Sequence, residues 1–163
     1  MAVAAKREAA RTGRTLQDIL KNPASLILAF REDAFLSAEN FFYRPLVLVS
    51  FILNSWSGTA AWGYRLVNLL FHLAASCLTL RLLLKLGQSP ALAHVMAVLF
   101  ALHPANVNAV AFIGGRNETL LALFIIPSVL FFIAWRERPS SLNLIGHLGF
   151  WILALLTKES AVV

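Results

Sequence analysis

Tyr64–Leu86, YRLVNLLFHLAASCLTLRLLLKL, decides what kind of protein this is. A helix that spans a bilayer needs about 20 mostly apolar residues, and this stretch supplies them. Its polar interruptions are Asn68 and His72, with Arg81 and Lys85 near the far end, where long cationic side chains reach back to the interface. Asn68 and His72 stand one helical turn apart and share a face, which predicts hydrogen bonding to a neighbouring helix rather than catalysis. Cys77, the single cysteine, offers neither a disulfide framework nor metal-ligand spacing and reads as a small core hydrophobe.

Three further stretches have the same character. One covers residues 90–104, opening at Ser89-Pro90, where proline suits a helix start, and stopping or kinking at Pro104. Another covers 118–135, with Pro127 as a kink, and the last covers 142–160, through Phe150-Trp151-Ile152-Leu153. His147 in that last stretch has the same helix-bonding role as His72. Residues 41–58 are apolar but too short to span, and Arg44-Pro45 interrupts their start, so they read as an interfacial helix. The expectation is an all-α membrane protein: about four transmembrane helices over 64–163, preceded by that interfacial helix, a polar non-cytoplasmic loop at 15–40 and a basic tail at 1–14.

Composition supports this. Of 163 residues 59% are hydrophobic and only 13% charged, about half the charge of an ordinary soluble domain. No Asp or Glu occurs between Glu39 and Glu118. The formal charge of +6 sits at the ends of apolar runs, which reads as membrane orientation and excludes a phosphate-tracking nucleic-acid surface. Arg81 with Lys85, and Arg136 with Arg138, occupy two links that share a side in a four-span chain; that side is expected to be cytoplasmic. The tail Met1–Arg14 lacks the apolar centre of a secretory signal and sits on the wrong side for its charge, so the chain reads as missing an upstream span.

On chemistry, nothing forms a nucleophile triad, a phosphate-cradling glycine loop or a metal site. Ionisable residues do gather at helix ends, as Arg116 and Glu118, and as Lys158 and Glu159; a membrane-edge role accounts for them as well as a functional one. Asn117-Glu118-Thr119 has the form of a glycosylation sequon but lies at the mouth of a span, out of a transferase's reach.

Taken in order, several motifs form a series: Tyr43-Arg44-Pro45-Leu46; Gly63-Tyr64-Arg65-Leu66-Val67-Asn68-Leu69-Leu70-Phe71-His72; Phe100-Ala101-Leu102-His103-Pro104; Val110-Ala111; Gly115-Arg116-Asn117-Glu118; and Leu155-Leu156-Thr157-Lys158-Glu159. The series resembles the amino-terminal membrane region of the C-type glycosyltransferases, most closely the protein O-mannosyltransferase-like proteins with membrane spans followed by tetratricopeptide repeats. It runs from about Leu16 to the end. The resemblance implies an enzyme moving a sugar, mannose above all, from a polyprenyl-phosphate donor to a protein or glycan hydroxyl. It implies no cofactor, and residence as a multi-pass protein in a bacterial inner membrane or the endoplasmic reticulum. On this reading Arg44, Arg116 and Lys158 bind the donor phosphate, supported by His103, Glu118 and Glu159, with cations offsetting charge on the departing phosphate.

Departures matter too. Aligning the family's Asn-Pro with Asn22-Pro23 puts Arg14 and Thr15 where its acidic pair stands, so no catalytic residue is assigned in this chain. Arg65 and Asn106 replace residues that are often His in the family, and Asn108 replaces Glu. The chain is therefore expected to be a fragment or degenerate member. The rivals are a non-catalytic adaptor or assembly subunit, and a small transporter, which needs charges buried mid-span or discontinuous helices at a repeat interface, neither of which the sequence shows.

Overall fold

Polar side chains inside and large apolar ones outside are the organising feature of the computed structural model, which describes residues 44–56, 58 and 60–162. The basic tail 1–14, the loop 15–40, the Asn22-Pro23 alignment and residues 41–43 lie outside the described residues. Every regular element among those described is helical. The chain divides into two compact units, Met1–Tyr64 and Arg65–Val163.

In the first unit, α1 spans Pro45–Trp56. Proline opens it at no cost, because the first helical N–H has no intrahelical partner anyway. Pro45, Leu48, Ile52 and Ser55 recur at helical spacing and are buried, while Leu53 and Trp56 are exposed. At 12 residues the helix is about 18 Å long, well short of a span.

Helix α2, Ala61–Lys85, starts in the first unit and carries the decisive stretch into the second. Asn68, His72, Ala75 and Ser76 form its buried stripe, whereas Leu66, Leu69, Leu70 and Leu73 point outward. Water-soluble packing reverses that arrangement; a helix dissolved in lipid associates through small and hydrogen-bonding residues instead. Cys77 is exposed on the outward side and is not a core residue. The helix ends at Gly87, whose φ of +83° permits the reversed last turn in which Gln88 N–H reaches the Leu83 carbonyl and Gly87 N–H reaches that of Leu84.

Next, α3 covers Pro90–Leu102, with Ser89 Oγ accepting from the Leu92 N–H. It buries only Ala93 and Ala97, one turn apart. At His103-Pro104 the helix breaks, because proline cannot continue its hydrogen-bond ladder. A 3-10 turn at Pro104–Asn106 leads into the short α4, Val107–Ala111, bent by 45° from α3. A second 3-10 turn, Ile113–Gly115, then opens α5, Arg116–Glu137, which carries Pro127 without interruption. Helix α6, Ser141–Leu155, is capped by Ser140 and followed by a 3-10 turn at Glu159–Val162.

Helices α5 and α6 pack antiparallel. Phe131 stacks on Phe150 with ring centroids 5.7 Å apart, and a Cβ added to Gly146 would stand 2.8 Å from the Phe131 ring, so glycine sets how close the helices come. Midway along, His147 Nδ1 lies 2.9 Å from Ser128 Oγ and 3.1 Å from the Ser128 carbonyl, and Ser128 Oγ donates to the His147 carbonyl at 3.0 Å. A proton on Nδ1 satisfies this reciprocal pair. His147 thus bonds helix to helix, as its position predicts. A double-mutant cycle with Ser128→Ala and His147→Phe is expected to give a coupling of about 0.6 to 1.7 kcal/mol in detergent unfolding, the range for such bonds between membrane helices; additive losses would contradict the pair.

Among the described residues two helices are long and apolar enough to cross a membrane, Ala61–Lys85 and Ile113–Glu137, or three when the bent pair Pro90–Leu102 and Pro104–Ala111 counts as one span. The expected fourth, over 142–160, is shorter than a span needs: α6 has 15 residues, about 22 Å, and the chain leaves helical geometry beyond Leu155, where Thr157-Lys158-Glu159-Ser160 follow. Among the described residues one helix pair is broken, at Pro104, whereas the transporter rival calls for discontinuous helices at a repeat interface.

Candidate functional site

The break between α3 and α5 exposes backbone groups that lipid cannot satisfy, and irregular backbone at membrane depth survives only where protein supplies partners. Here polar side chains supply them. His72 Nε2 donates to the Ala101 carbonyl at 3.0 Å, and Asn106 Nδ2 donates to that of Phe100 at 2.7 Å. His103 Nδ1 accepts from the Ala105 N–H at 3.1 Å, so this exposed histidine caps the turn. Asn68 Nδ2 donates to the carbonyls of Val110 and Phe112, at 3.5 and 3.2 Å.

Asn68 also turns the break toward charge. Its Oδ1 accepts from Arg116 Nε at 2.7 Å, and both residues are fully buried. Swapping the amide oxygen and nitrogen would set donor against donor and acceptor against acceptor, so the bonding fixes the amide orientation. The Arg116 guanidinium carbon also lies 6.0 Å from the Phe71 ring centroid, within cation–π range. Arg116 is the first residue of a 22-residue helix, where the backbone dipole adds positive potential. Immediately before it, Gly115 crosses the preceding turn so closely that a Cβ would lie 2.3 Å from the Asn108 carbonyl oxygen and 2.8 Å from Ala109 Cα.

Lys158 closes the same end, its Nζ 2.6 Å from Glu118 Oε1. Thr157 beside it is fully buried and bonds back to the Leu153 carbonyl. The structure therefore brings Arg116, Glu118 and Lys158 to one end of the second unit, with His103 at the turn of the break. Glu159 is exposed at the start of the last 3-10 turn. Arg44 is buried at the head of α1 in the first unit. The bond between Asn68 and Arg116 is what sequence reasoning missed: the Asn68/His72 spacing marks a bonding face, as observed, but nothing local says that Arg116 meets it. The sequon threonine, Thr119, is buried and bonded to the Arg116 carbonyl, which accords with the sequon's being inaccessible.

Among curated proteins the chain is similar to protein O-mannosyl-transferase Tmtc2 of Drosophila melanogaster, 34% identical over 128 residues that make up 74% of this chain and 14% of the fly protein. Its similarity to protein O-mannosyl-transferase tmtc2 of Xenopus laevis is 36% over 126 residues, again 74% of this chain and 15% of the relative. The human protein O-mannosyl-transferase TMTC4 is 30% identical over 144 residues, 74% of this chain and 19% of that protein. The chain belongs to the protein O-mannosyltransferase-like family. It spans about one seventh of the length of the first two of these relatives. No family model and no solved structure matches it. In this member of the O-mannosyltransferase-like family, a broken helix is tied by polar side chains, one of which, Asn68, also bonds a buried arginine.

Proposed function

We propose that the chain forms part of a multi-pass membrane mannosyltransferase that takes mannose from a polyprenyl-phosphate donor and delivers it to a protein hydroxyl. Arg44, Arg116 and Lys158 are the donor-phosphate residues of this reading, with His103, Glu118 and Glu159 supporting them. The observation that carries it is Arg116: a permanent charge, fully buried, oriented through Nε by Asn68 and placed at a helix N-terminus. A buried guanidinium is a fixed positive charge with several N–H donors, and a leaving phosphate is chemistry that such a group suits. The relatives' names supply mannose and a protein acceptor. Their animal sources favour the endoplasmic reticulum over a bacterial inner membrane. By the placement of the cationic links, the Arg116 end faces the lumen. Helix α6 serves as a further span on this reading, and α1 lies along the interface.

The transporter rival draws support from the 45° break and the buried charge. Its weakness is that the backbone of the break is tied to Asn68, His72 and Asn106 instead of lining an open path. Binding separates the two. Membranes carrying the chain should bind radiolabelled dolichyl-phosphate mannose saturably, and Arg116→Ala should weaken binding about tenfold or more. Binding no greater than that of membranes without the chain, or unchanged in the variant, would defeat the donor-site reading.

A further inference from the structure

The opposite end of the second unit carries charge that the donor-site reading uses only to orient the chain. There Lys85 Nζ and Glu137 Oε2 pair at 2.5 Å, joining the C-terminal ends of α2 and α5. Glu137 is the only acid in the chain between Glu118 and Glu159, so this pair consumes the local negative charge. Arg81, one turn before Lys85 on α2, and Arg136 and Arg138, on either side of Glu137, remain exposed and form no ion pair among the described residues. Three permanent positive charges thus stand within four residues, along the chain, of one or other partner of a neutralised bridge. Their level in the membrane follows from α5: Glu118 and Glu137 are separated by about 28 Å of helix axis, close to the hydrocarbon thickness of about 30 Å. The arginines therefore stand at headgroup depth, with Trp135 beside them and its ring against Phe132 in the aromatic position of a membrane interface.

We propose that Arg81, Arg136 and Arg138 form a binding site for anionic phospholipid headgroups at the end of the bundle remote from Arg116. Guanidinium groups match phosphate oxygens with paired N–H donors, and exposed arginines at this level favour an anionic headgroup over a zwitterionic lipid, which carries its own cation. The Lys85–Glu137 bridge sets the spacing by holding the two helix ends together.

The test uses the chain in nanodiscs, with Trp135 as sole tryptophan after Trp56, Trp62 and Trp151 are changed to Phe. Brominated phosphatidylserine, compared with brominated phosphatidylcholine at equal mole fraction, should quench Trp135 with about tenfold higher apparent affinity. The preference should fall toward parity in Arg81→Gln/Arg136→Gln/Arg138→Gln, and also in the unsubstituted chain as sodium chloride rises from about 0.05 to 0.5 M. A companion form keeping only Trp151, whose indole N–H bonds the Ala161 carbonyl at the other end, should show no preference. Equal quenching of Trp135 by both lipids would overturn the site, as would a preference that the triple variant and salt both leave intact. Loss of the preference to millimolar inorganic phosphate would overturn the lipid assignment in favour of a soluble anion.

Discussion

Replacing Asn68 by leucine should destabilise the protein by about 2 to 4 kcal/mol, although it makes α2 more apolar. Hydropathy alone predicts the opposite, since an amide in a spanning helix costs insertion energy. The structure assigns that amide three bonds: two donated to the Val110 and Phe112 carbonyls and one accepted from Arg116 Nε. Leucine leaves two carbonyls of the break and one face of a buried guanidinium without those partners. An unsatisfied group of this kind has no water to turn to, and a charged donor is worth more than a neutral one. The loss should exceed that of Ser128→Ala, which removes one neutral hydroxyl from the α5–α6 contact. Thermal unfolding in detergent, followed by helical circular dichroism, measures the difference. An unchanged or raised midpoint for the leucine variant would mean that the Asn68–Arg116 bond does not hold this end together.

Gly115→Ala is the second large effect. A methyl group there meets backbone, the Asn108 carbonyl oxygen at 2.3 Å and Ala109 Cα at 2.8 Å, and backbone cannot swing aside as a side-chain tip can. The crossing of the turn must open, and Arg116, the next residue, moves with it. The expected cost is about 2 kcal/mol or more, comparable to overpacking a core. Donor binding should fall along with stability, because the guanidinium loses its alignment with Asn68. Gly149→Ala is the control: nothing lies within 4 Å of a Cβ there, and alanine is the better helix former, so stability should hold or rise slightly. Similar behaviour of the two alanine variants would remove the close crossing as an explanation for Gly115.

Helix positions were largely legible in the sequence, because apolar runs between Gly, Pro and Ser boundaries depend on local chemistry alone. The start at Pro90 and the stop at Pro104 follow from proline's missing N–H. The face of α2 was legible as well, through the Asn68 and His72 spacing. Which partners those faces meet was not. Asn68 and Arg116 are 48 residues apart, Glu118 and Lys158 are 40 apart, and only the packing of helices brings them together. Local neighbours misled where tertiary geometry decides: Glu159 adjoins Lys158 in sequence, yet Glu118 is the carboxylate that reaches it. Cys77 misled in another way. An apolar run suggests a core, but in this fold the core side is polar and small, and the apolar side faces outward. Length misled for α6, where the expected span runs to residue 160 but the helix ends at Leu155, with Leu156 and then polar Thr157-Lys158-Glu159 beyond it.

Site mapping with a photoreactive polyprenyl-phosphate mannose tests the central claim most directly, because the two ends of the second unit lie a membrane's thickness apart. Cross-linked peptides read by mass spectrometry should place the label on the Arg116 end, within residues 112–120 and 156–160, and unlabelled donor should compete it away. A label confined to the Arg81–Lys85 and Arg136–Arg138 end, or one that excess donor does not displace, would contradict the assignment of Arg116 to the donor phosphate.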